Sequence, residues 1–245
     1  MPGFRRLPVS GIPNLRDLGG WPVTNGMTRC GVFLRSALPQ YVGEESEALL
    51  RSYDLRTVID FRSEREAERD PDPLRALDGI TYLSMPMFDA AASGAALRIR
   101  PEAHFSWAEH YIRMAEQQKD WVCRVMTALA GSEGCALFHC TTGKDRAGII
   151  SALILSMCSV CDEDVVADYC VSEIYLRPMY AEMESYSRLC NGNIDAPFYR
   201  TEPATMRAFL EHIFGKYGSA AGYLASCGLP ESAAARIREK LTGKF

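Results

Sequence analysis

The sequence lacks several features that would each define a class of protein. It has no lysine-rich run, and its formal net charge of −4 and isoelectric point near 5.7 argue against a nucleic-acid partner. The N-terminal stretch MPGFRRLPVSGIPNLRD lacks the apolar core of a signal peptide. The longest apolar run, AGIISALILSMC, is far shorter than the ~20 residues that span a bilayer. We therefore expect a cytoplasmic protein with no stable membrane anchor, while export by a route without a signal peptide stays open.

The nine cysteines do not follow a metal-binding pattern. Cys158 and Cys161 have C-x-x-C spacing, but neither a second pair nor a histidine cluster accompanies them. Buried free thiols in a reducing compartment are the simpler interpretation. The sequence therefore predicts no metal site and no cofactor.

The chain also lacks internal repeats, low-complexity segments and any change of composition that would mark a linker. Residues 1–245 are therefore expected to form a single domain. Short apolar, β-branched runs predict strands at 31–36, 56–61, 80–85 and 135–140. Apolar residues at helical spacing predict helices at 43–53, 103–130, 144–158, 162–176, 203–217 and 230–242. This order predicts an α/β fold with a parallel or mixed central sheet flanked by helices, and a helical C-terminal third.

The stretch LFHCTTGKDRAG, residues 137 to 148, concentrates reactive and anion-binding side chains between a predicted strand and a predicted helix. The carboxyl end of a sheet strand is where α/β proteins bind ligands. A turn that enters a helix presents unpaired N–H groups and the positive end of the helix dipole. Gly143 allows the backbone to curl around one anion, and Arg146 can grip two phosphate oxygens.

Cys140 lies in the same positive field. A thiol at a helix N-terminus beside Lys144 and Arg146 is expected to have a lowered pKa and to be a thiolate at neutral pH. Such a thiolate under a bound phosphate is placed for in-line attack on phosphorus. We interpret His139 as a supporting group that bonds the backbone near the cysteine. The alternative is a structural turn around a buried cysteine, because a bare C-x5-R spacing is not specific.

The loop HCTTGKDRAG resembles the His-Cys-x5-Arg signature of the cysteine-based protein tyrosine phosphatase superfamily. Its lysine–aspartate pair resembles the HCxxGKDR loop of one atypical bacterial branch, whose members accept phosphotyrosine, often phosphoserine or phosphothreonine, and in several cases phosphoinositides. Five further blocks are similar in order: IPNLRDLGG, FLRSA, VIDFRSEREAE, DVVADYCVSEIYL and KYGSAAGYLASCGL. The resemblance thus covers nearly the whole chain. It implies a metal-independent phosphatase that acts on phosphorylated protein or phosphoinositide and releases inorganic phosphate.

The resemblance implies roles for the loop residues. Cys140 is the nucleophile that forms a phosphocysteine intermediate, and Arg146 holds the phosphate oxygens. The phosphate-binding residues are Thr141, Thr142, Gly143, Lys144, Asp145 and Arg146. Lys144 could also favour substrates that carry more than one phosphate.

The general acid is open between two aspartates. Many tyrosine phosphatases use an aspartate on a Trp-Pro-Asp loop, but here WPV at 21–23 lacks it. Asp145 is the preferred candidate, since a carboxylate that faces a phosphate dianion has a raised pKa. Asp89, on a predicted loop after the third strand, is the alternative. Either one could instead be a capping or surface carboxylate.

Position 147 departs from the superfamily, which usually has serine or threonine after the arginine. That hydroxyl helps the thiolate leave, so Ala147 predicts slow turnover unless Thr141 or Thr142 substitutes.

Two further expectations concern the surroundings of the loop. Ion pairs that brace the site are expected at Arg16 with Asp17 and at Arg62 with Glu66, and a substrate wall or core packing at Met85, Met87 and Phe88.

Two other functions compete with phosphate-ester hydrolysis. One is a phosphate-binding module, for phosphopeptide or inositide, whose catalysis has weakened at the acid or at Ala147. The other is sulfur transfer or arsenate reduction, for which a cysteine in an anion-binding loop is also suited. Arsenate reduction needs a resolving cysteine, and Cys135 is near in sequence but lies on the predicted strand.

Overall fold

The structure is a computed structural model that describes residues 5–87, 106–182 and 200–243. The strands among these residues are β1 (Arg16–Asp17), β2 (Pro22–Val23), β3 (Gly26–Met27), β4 (Phe33–Ser36), β5 (Leu55–Asp60), β6 (Thr81–Ser84) and β7 (Cys135–His139). Five of them form one sheet in the order β1-β4-β7-β5-β6, while β2 and β3 pair as a separate hairpin. The main sheet is mixed, because β1 runs antiparallel to β4 and the other neighbours are parallel.

The register of the sheet brings three strand ends together. Ser36 of β4 and Asp60 of β5 both lie opposite His139 of β7. Every residue of β7 is buried, as expected for a central parallel strand covered on both faces. The signature loop therefore starts from the middle of the sheet's carboxyl edge.

Helices cover both faces of the sheet. They are α1 (Glu44–Ser52), α2 (Glu64–Arg69), α3 (Trp107–Gln117), α4 (Lys119–Gly131), α5 (Arg146–Met157), α6 (Asp162–Glu182), α7 (Pro203–Tyr217), α8 (Ala220–Ser226) and α9 (Glu231–Thr242), with a 3-10 turn at Pro73–Ala76.

Two apolar layers hold the helices to the sheet. Side chains alternate along β7, so that Phe138 faces the larger cluster with α3, α4, α5, α7, α8 and α9, whereas Leu137 faces α1 and the 3-10 turn. Helix α5 is buried nearly all round, which explains its lack of a polar face. The predicted α/β fold, with a mixed sheet flanked by helices, is confirmed.

The predicted elements agree with the structure, with some corrections. The four predicted strands occur within a few residues of their expected bounds. The same holds for the first and last predicted helices, at 43–53 and 230–242. The stretch 103–130 was expected as one helical region, but α3 and α4 divide at Gln118, and the helix expected from 144 begins at Arg146. The strands β1 to β3 and helices α2 and α8 were not predicted, because two to seven residues are too few to show a periodicity.

Within residues 5–87, 106–182 and 200–243, no helix is long and apolar enough to cross a bilayer.

Candidate active site

The signature loop lies between β7 and α5, packed against the end of β4. Cys140 is only 1% exposed, and its Sγ accepts a hydrogen bond from Gly143 N at 3.2 Å. Gly143 has a φ of +67°, and a Cβ built there would lie 2.1 Å from the carbonyl oxygen of Ser36. Glycine is therefore required both for the backbone conformation and for space.

Scaffold groups bind the loop's carbonyls from outside. Asn14 Nδ2 donates to Thr142 O at 3.0 Å, Leu38 N donates to Thr141 O at 3.1 Å, and Arg35 NH2 donates to Gly143 O at 2.5 Å. A peptide's N–H points opposite to its carbonyl. Fixing the carbonyls outward therefore turns the N–H groups inward, as in the backbone nests that bind anions.

A buried cluster of charges supports the loop from below. Arg16 Nε and Arg35 NH1 lie 3.0 Å and 2.6 Å from the two carboxylate oxygens of Asp168 on α6. All three side chains are buried, and two guanidinium groups against one carboxylate leave one positive charge in excess. Burial and the neighbouring Arg16 lower the pKa of Arg35 to about 10, against the opposing effects of Asp168 and Cys140.

The expected ion pair between Arg16 and Asp17 is wrong. Arg16 reaches Asp168, whereas the Asp17 carboxylate accepts from Gly19 N at 2.8 Å and Gly31 N at 2.6 Å. Adjacent residues in a strand point to opposite faces, so neighbours in sequence are poor partners. Asp17 instead fixes the turn after its own strand.

Arg146 is held by a bidentate ion pair. Its NH1 and NH2 donate to the two oxygens of Glu66 at 2.9 Å and 2.8 Å. NH1 also donates to Phe61 O at 3.1 Å, and NH2 to Thr141 Oγ1 at 3.2 Å. None of these four bonds uses Nε. Burial alone raises the pKa of Glu66, but hydrogen bonds and charge from Arg146 outweigh it and hold that pKa far below its usual range.

The expected pairing of Arg62 with Glu66 is also wrong. The Arg62 side chain pairs with Asp60 at 2.8 Å. Its hydrogen bond to Glu66 goes to the backbone carbonyl and not to the carboxylate. Glu66 is the third residue of α2, where it completes a capping box with Ser63. Its carboxylate is thus turned toward the signature loop, and both residues do brace the site, although with other partners.

Asp145 precedes α5 at the N-cap position, yet within the described part of that helix its side chain makes no capping hydrogen bond. Its Oδ1 accepts instead from Tyr111 OH at 2.5 Å. Lys144 Nζ lies 3.7 Å from the same oxygen and 4.3 Å from the ring centroid of Trp107. Lys144 is buried, so a solvated lysine at a helix start is not what the structure contains.

His139 lies behind the loop among carboxylates. Its Nδ1 is 3.4 Å from Cys140 O, and its Nε2 is 2.9 Å from Asp72 Oδ2, at an angle too bent for a hydrogen bond. Asp60, Asp72 and His139 are residue types that could hold a metal. Both oxygens of Asp60 already accept from Arg62, and one of them also from Tyr82. A cation at that point would have to displace a guanidinium.

Some of the remaining candidates from the sequence lie in the core, and others lie outside the residues that the structure describes. Asp89 and Phe88 lie outside the described residues. Met87 is buried in the core, and Met85 accepts a hydrogen bond from Trp121 Nε1 through its backbone carbonyl at 2.8 Å. Ala147 is fully buried at the first turn of α5.

Several residues around the loop were missed by sequence reasoning. Arg35 and Asp168 lie inside blocks that were noted for their resemblance, so their positions carried a signal although their contacts did not. Tyr111 carried none, because an aromatic residue in an amphipathic helix is ordinarily a core residue.

The fold and the loop together define a class of protein: an α/β sheet whose central strand delivers a Cys-x5-Arg anion loop to its carboxyl edge. Residues 7–243 match the sequence profile of the tyrosine phosphatase family. The chain belongs to this family of phosphoric monoester hydrolases, and the superfamily predicted from the signature loop is confirmed.

Three relatives carry protein phosphatase names. The chain is 25% identical to a tyrosine-protein phosphatase of Nostoc commune over 85% of this chain and 74% of the relative. It is 30% identical to a putative tyrosine-protein phosphatase of Cupriavidus necator, over 68% and 63%. It is 27% identical to the triple specificity protein phosphatase PtpB of Mycobacterium tuberculosis, over 98% and 99%. A crystal structure of a TpbA variant from P. aeruginosa with phosphotyrosine is 17% identical, with a TM-score of 0.32, over 73% of this chain and 86% of that one.

Proposed function

We propose that the protein is a metal-independent phosphatase that hydrolyses phosphomonoesters through a phosphocysteine intermediate at Cys140. The observation that carries the proposal is the loop in which Gly143 N–H points at Cys140 Sγ while Glu66 fixes Arg146 beside it. The loop amides and Arg146 supply the positive charge that a metal ion supplies in other phosphatases.

The first half of the reaction transfers phosphorus to sulfur. The phosphate enters the loop, where inward N–H groups and Arg146 hold its three non-bridging oxygens. Cys140 Sγ attacks phosphorus in line with the leaving oxygen, the S–P bond forms and the P–O bond breaks. Asp145 gives its proton to the leaving oxygen, so that the product departs as a neutral alcohol or phenol.

The second half returns the enzyme to its starting state. A water molecule gives a proton to the Asp145 carboxylate as its oxygen attacks phosphorus. The S–P bond breaks, inorganic phosphate forms and Cys140 leaves as a thiolate. Asp89 stays the alternative acid in both halves.

The substrate class follows from the loop and from the relatives. The GKDR sequence supports membership of the atypical bacterial branch, with Lys144 beside the loop as a second cation for doubly phosphorylated substrates. Relatives named as tyrosine-protein phosphatases and as a triple specificity phosphatase support phosphotyrosine first and phosphoserine or phosphothreonine next. Phosphoinositide is included because several members of the resembled branch accept it and because Lys144 offers a second cation.

The other cysteines bear on the compartment and on the competing chemistry. The eight that the structure describes are all free thiols, which supports a reducing compartment such as the cytoplasm. Cys135 is buried on β7, and burial raises the pKa of its thiol far above the usual value. Such a thiol resolves a mixed disulfide poorly, which weakens the hypothesis of arsenate reduction.

The test is inorganic phosphate release in the presence of EDTA, with phosphotyrosine, phosphoserine, phosphothreonine and phosphoinositide as substrates. We expect release by the wild type and a fall to the blank level in Cys140→Ser, because serine is a far weaker nucleophile. Cys161→Ser, which changes an exposed thiol, is the matched control and should keep full activity. Release that survives in Cys140→Ser, or that EDTA abolishes, would contradict the mechanism.

A second candidate function, a phosphate-binding module with weakened catalysis, is favoured by one observation. Thr141 Oγ1 donates its proton to Glu66 at 2.5 Å, so this hydroxyl cannot replace the one missing at Ala147. Thr142 Oγ1 only accepts, from Lys144 N at 3.3 Å, and keeps its own proton to donate. Phosphopeptide or inositide binding without any phosphate release, measured by calorimetry on the same preparations, would select this candidate.

A further inference from the structure

We propose that Tyr111, supported by Tyr169, is a positioning residue that holds one oxygen of Asp145 so that the other oxygen carries the proton for the leaving group. The inference rests on the proposed function of Asp145 as the general acid. It adds Tyr111 from α3 and Tyr169 from α6 to the signature loop, Glu66 and the buried charge cluster described above.

The contacts form a short chain of two hydrogen bonds. Tyr111 OH donates to Asp145 Oδ1 at 2.5 Å and lies 3.0 Å from Tyr169 OH. The two rings stand perpendicular, at 89°, with centroids 5.9 Å apart, so each hydroxyl is held by a packed ring. Both tyrosines are buried, which leaves few other positions for either hydroxyl.

The hydrogen bond from Tyr111 explains why the Asp145 side chain does not cap its own helix. An aspartate at an N-cap ordinarily accepts from the N–H groups of the first turn. Here its carboxyl group is turned toward α3, and its side chain is 23% exposed, whereas that of Lys144 before it is 2% exposed. In this orientation the carboxyl group does not cap the helix, and part of it is accessible to solvent.

Two donors approach the same oxygen of Asp145. Tyr111 OH donates to Oδ1, and the ammonium group of Lys144 lies 3.7 Å from it. A neutral carboxyl group has one proton, and an oxygen that already accepts the Tyr111 proton and lies nearest the Lys144 ammonium group is the wrong place for it. The proton is therefore directed to Oδ2.

Tyr111 remains a donor throughout the reaction. Burial, together with the negative charge of Asp145, raises the pKa of the Tyr111 hydroxyl well above its ordinary value. In the first half-reaction Oδ2 gives its proton to the leaving oxygen, and the resulting carboxylate keeps the hydrogen bond from Tyr111. In the second half-reaction Oδ2 takes a proton from the attacking water, so the proton balance closes without a transfer from tyrosine.

The matched control is a tyrosine in the same region that does not touch the site. Tyr223 on α8 is buried, and its hydroxyl donates to Ala115 O on α3 at 2.8 Å. Tyr223→Phe removes one hydrogen bond to α3, Tyr111→Phe removes the contacts with Asp145 and Tyr169, and both leave the ring in place. Only the second removes a donor to Asp145.

The experiment compares two aryl phosphates of nearly the same shape, p-nitrophenyl phosphate and phenyl phosphate, whose leaving groups differ in their need for a proton. For Tyr111→Phe we expect kcat/KM, which reports the transfer of phosphorus to Cys140, to fall about tenfold on phenyl phosphate and by less than about twofold on p-nitrophenyl phosphate. Tyr169→Phe should show a smaller effect with the same preference. Tyr223→Phe should match the wild type on both substrates.

A double variant tests whether Tyr111 acts through Asp145. In an Asp145→Asn background, Tyr111→Phe should cause no further loss, because the group that it positions no longer carries the proton. Equal losses on both substrates, no loss on either, or a full further loss in the double variant would each overturn the inference. If Tyr111→Phe fails to fold, as judged by thermal melting beside Tyr223→Phe, the substrate preference of Tyr169→Phe decides.

Failure of the proposed function gives a different result. A wild type that releases no phosphate, or a Cys140→Ser variant that keeps its activity, contradicts the phosphocysteine mechanism and removes the inference with it. A wild type that works through Cys140 while Tyr111→Phe shows no substrate preference overturns the inference alone.

Discussion

Ala147 follows the signature arginine at a position where the superfamily usually has a hydroxyl. Its methyl group is fully buried and offers no hydrogen-bonding atom to the Cys140 thiolate. Thr141 of the loop donates its hydroxyl proton to Glu66, which leaves Thr142, an acceptor from the backbone N–H of Lys144, as the loop hydroxyl with a proton to donate. At the scale of one residue, the departure of the Cys140 thiolate is therefore the least supported step of the reaction.

Ala147→Ser should speed the breakdown of the phosphoenzyme about tenfold, since a hydrogen bond to a charged group contributes about 1.5–3 kcal/mol. The measurement is rapid quenching with p-nitrophenyl phosphate: the wild type should release a burst of nitrophenol, and the variant a smaller burst with a faster steady rate. Ala152→Ser, at another buried position of α5, is the control for an added hydroxyl. An unchanged breakdown rate in Ala147→Ser would remove this explanation of slow turnover.

At the scale of elements, α2 and the loop depend on one carboxylate. A helix of six residues is not stable by itself, and α2 is fixed by its capping box, in which Glu66 Oε2 accepts from Ser63 N at 2.8 Å. The same carboxylate grips Arg146 through both oxygens. Docking of α2 and orientation of the phosphate-binding arginine are therefore coupled.

Glu66→Gln should lower kcat/KM by about tenfold to a hundredfold, because one acceptor oxygen of a bidentate, charged pair becomes an amide donor. The inhibition constant of inorganic phosphate should rise as well, since the arginine that binds it is no longer held. Glu64→Gln, which changes an exposed side chain of the same helix, should match the wild type. Wild-type phosphate inhibition in Glu66→Gln would contradict the coupling.

At the scale of the whole molecule, the Arg16–Asp168–Arg35 cluster joins β1 and β4 to α6, which lies more than a hundred residues further along the sequence. Burial raises the pKa of Asp168, but the two arginines outweigh it and the net pKa is lowered. A carboxyl group whose folded pKa lies below its unfolded value contributes stability above the unfolded pKa, near 3.9. That contribution is lost as the pH falls through the folded pKa.

Asp168→Asn should lower the free energy of unfolding by about 3–5 kcal/mol at pH 7, because two buried guanidinium groups lose their counter-charge. It should also flatten the loss of stability below about pH 4, since the variant has no carboxyl group to protonate there. Urea unfolding at pH 7 and between pH 5 and 3 measures both effects. Asp78→Asn, at an exposed position, serves as the control, and parallel pH slopes for Asp168→Asn and the wild type would contradict the argument.

The sequence by itself determined the parts of the protein that depend on neighbouring residues. The four long strands, the main helices and the signature loop were all predicted, since their periodicity and spacing are local. Cys140, Gly143 and Arg146 lie within seven residues, and a strand followed by a tight turn and a helix fixes how they can be arranged. The tyrosine phosphatase superfamily followed from that short stretch.

Only the tertiary structure decided which side chains hold the loop in place. Arg146 with Glu66, Tyr111 with Asp145 and Arg35 with Asp168 are separated by 80, 34 and 133 residues. The ion pairs expected from the sequence joined near neighbours, and both were wrong. A strand sends adjacent side chains to opposite faces, while packing of helices on the sheet brings remote charges together in the buried interior.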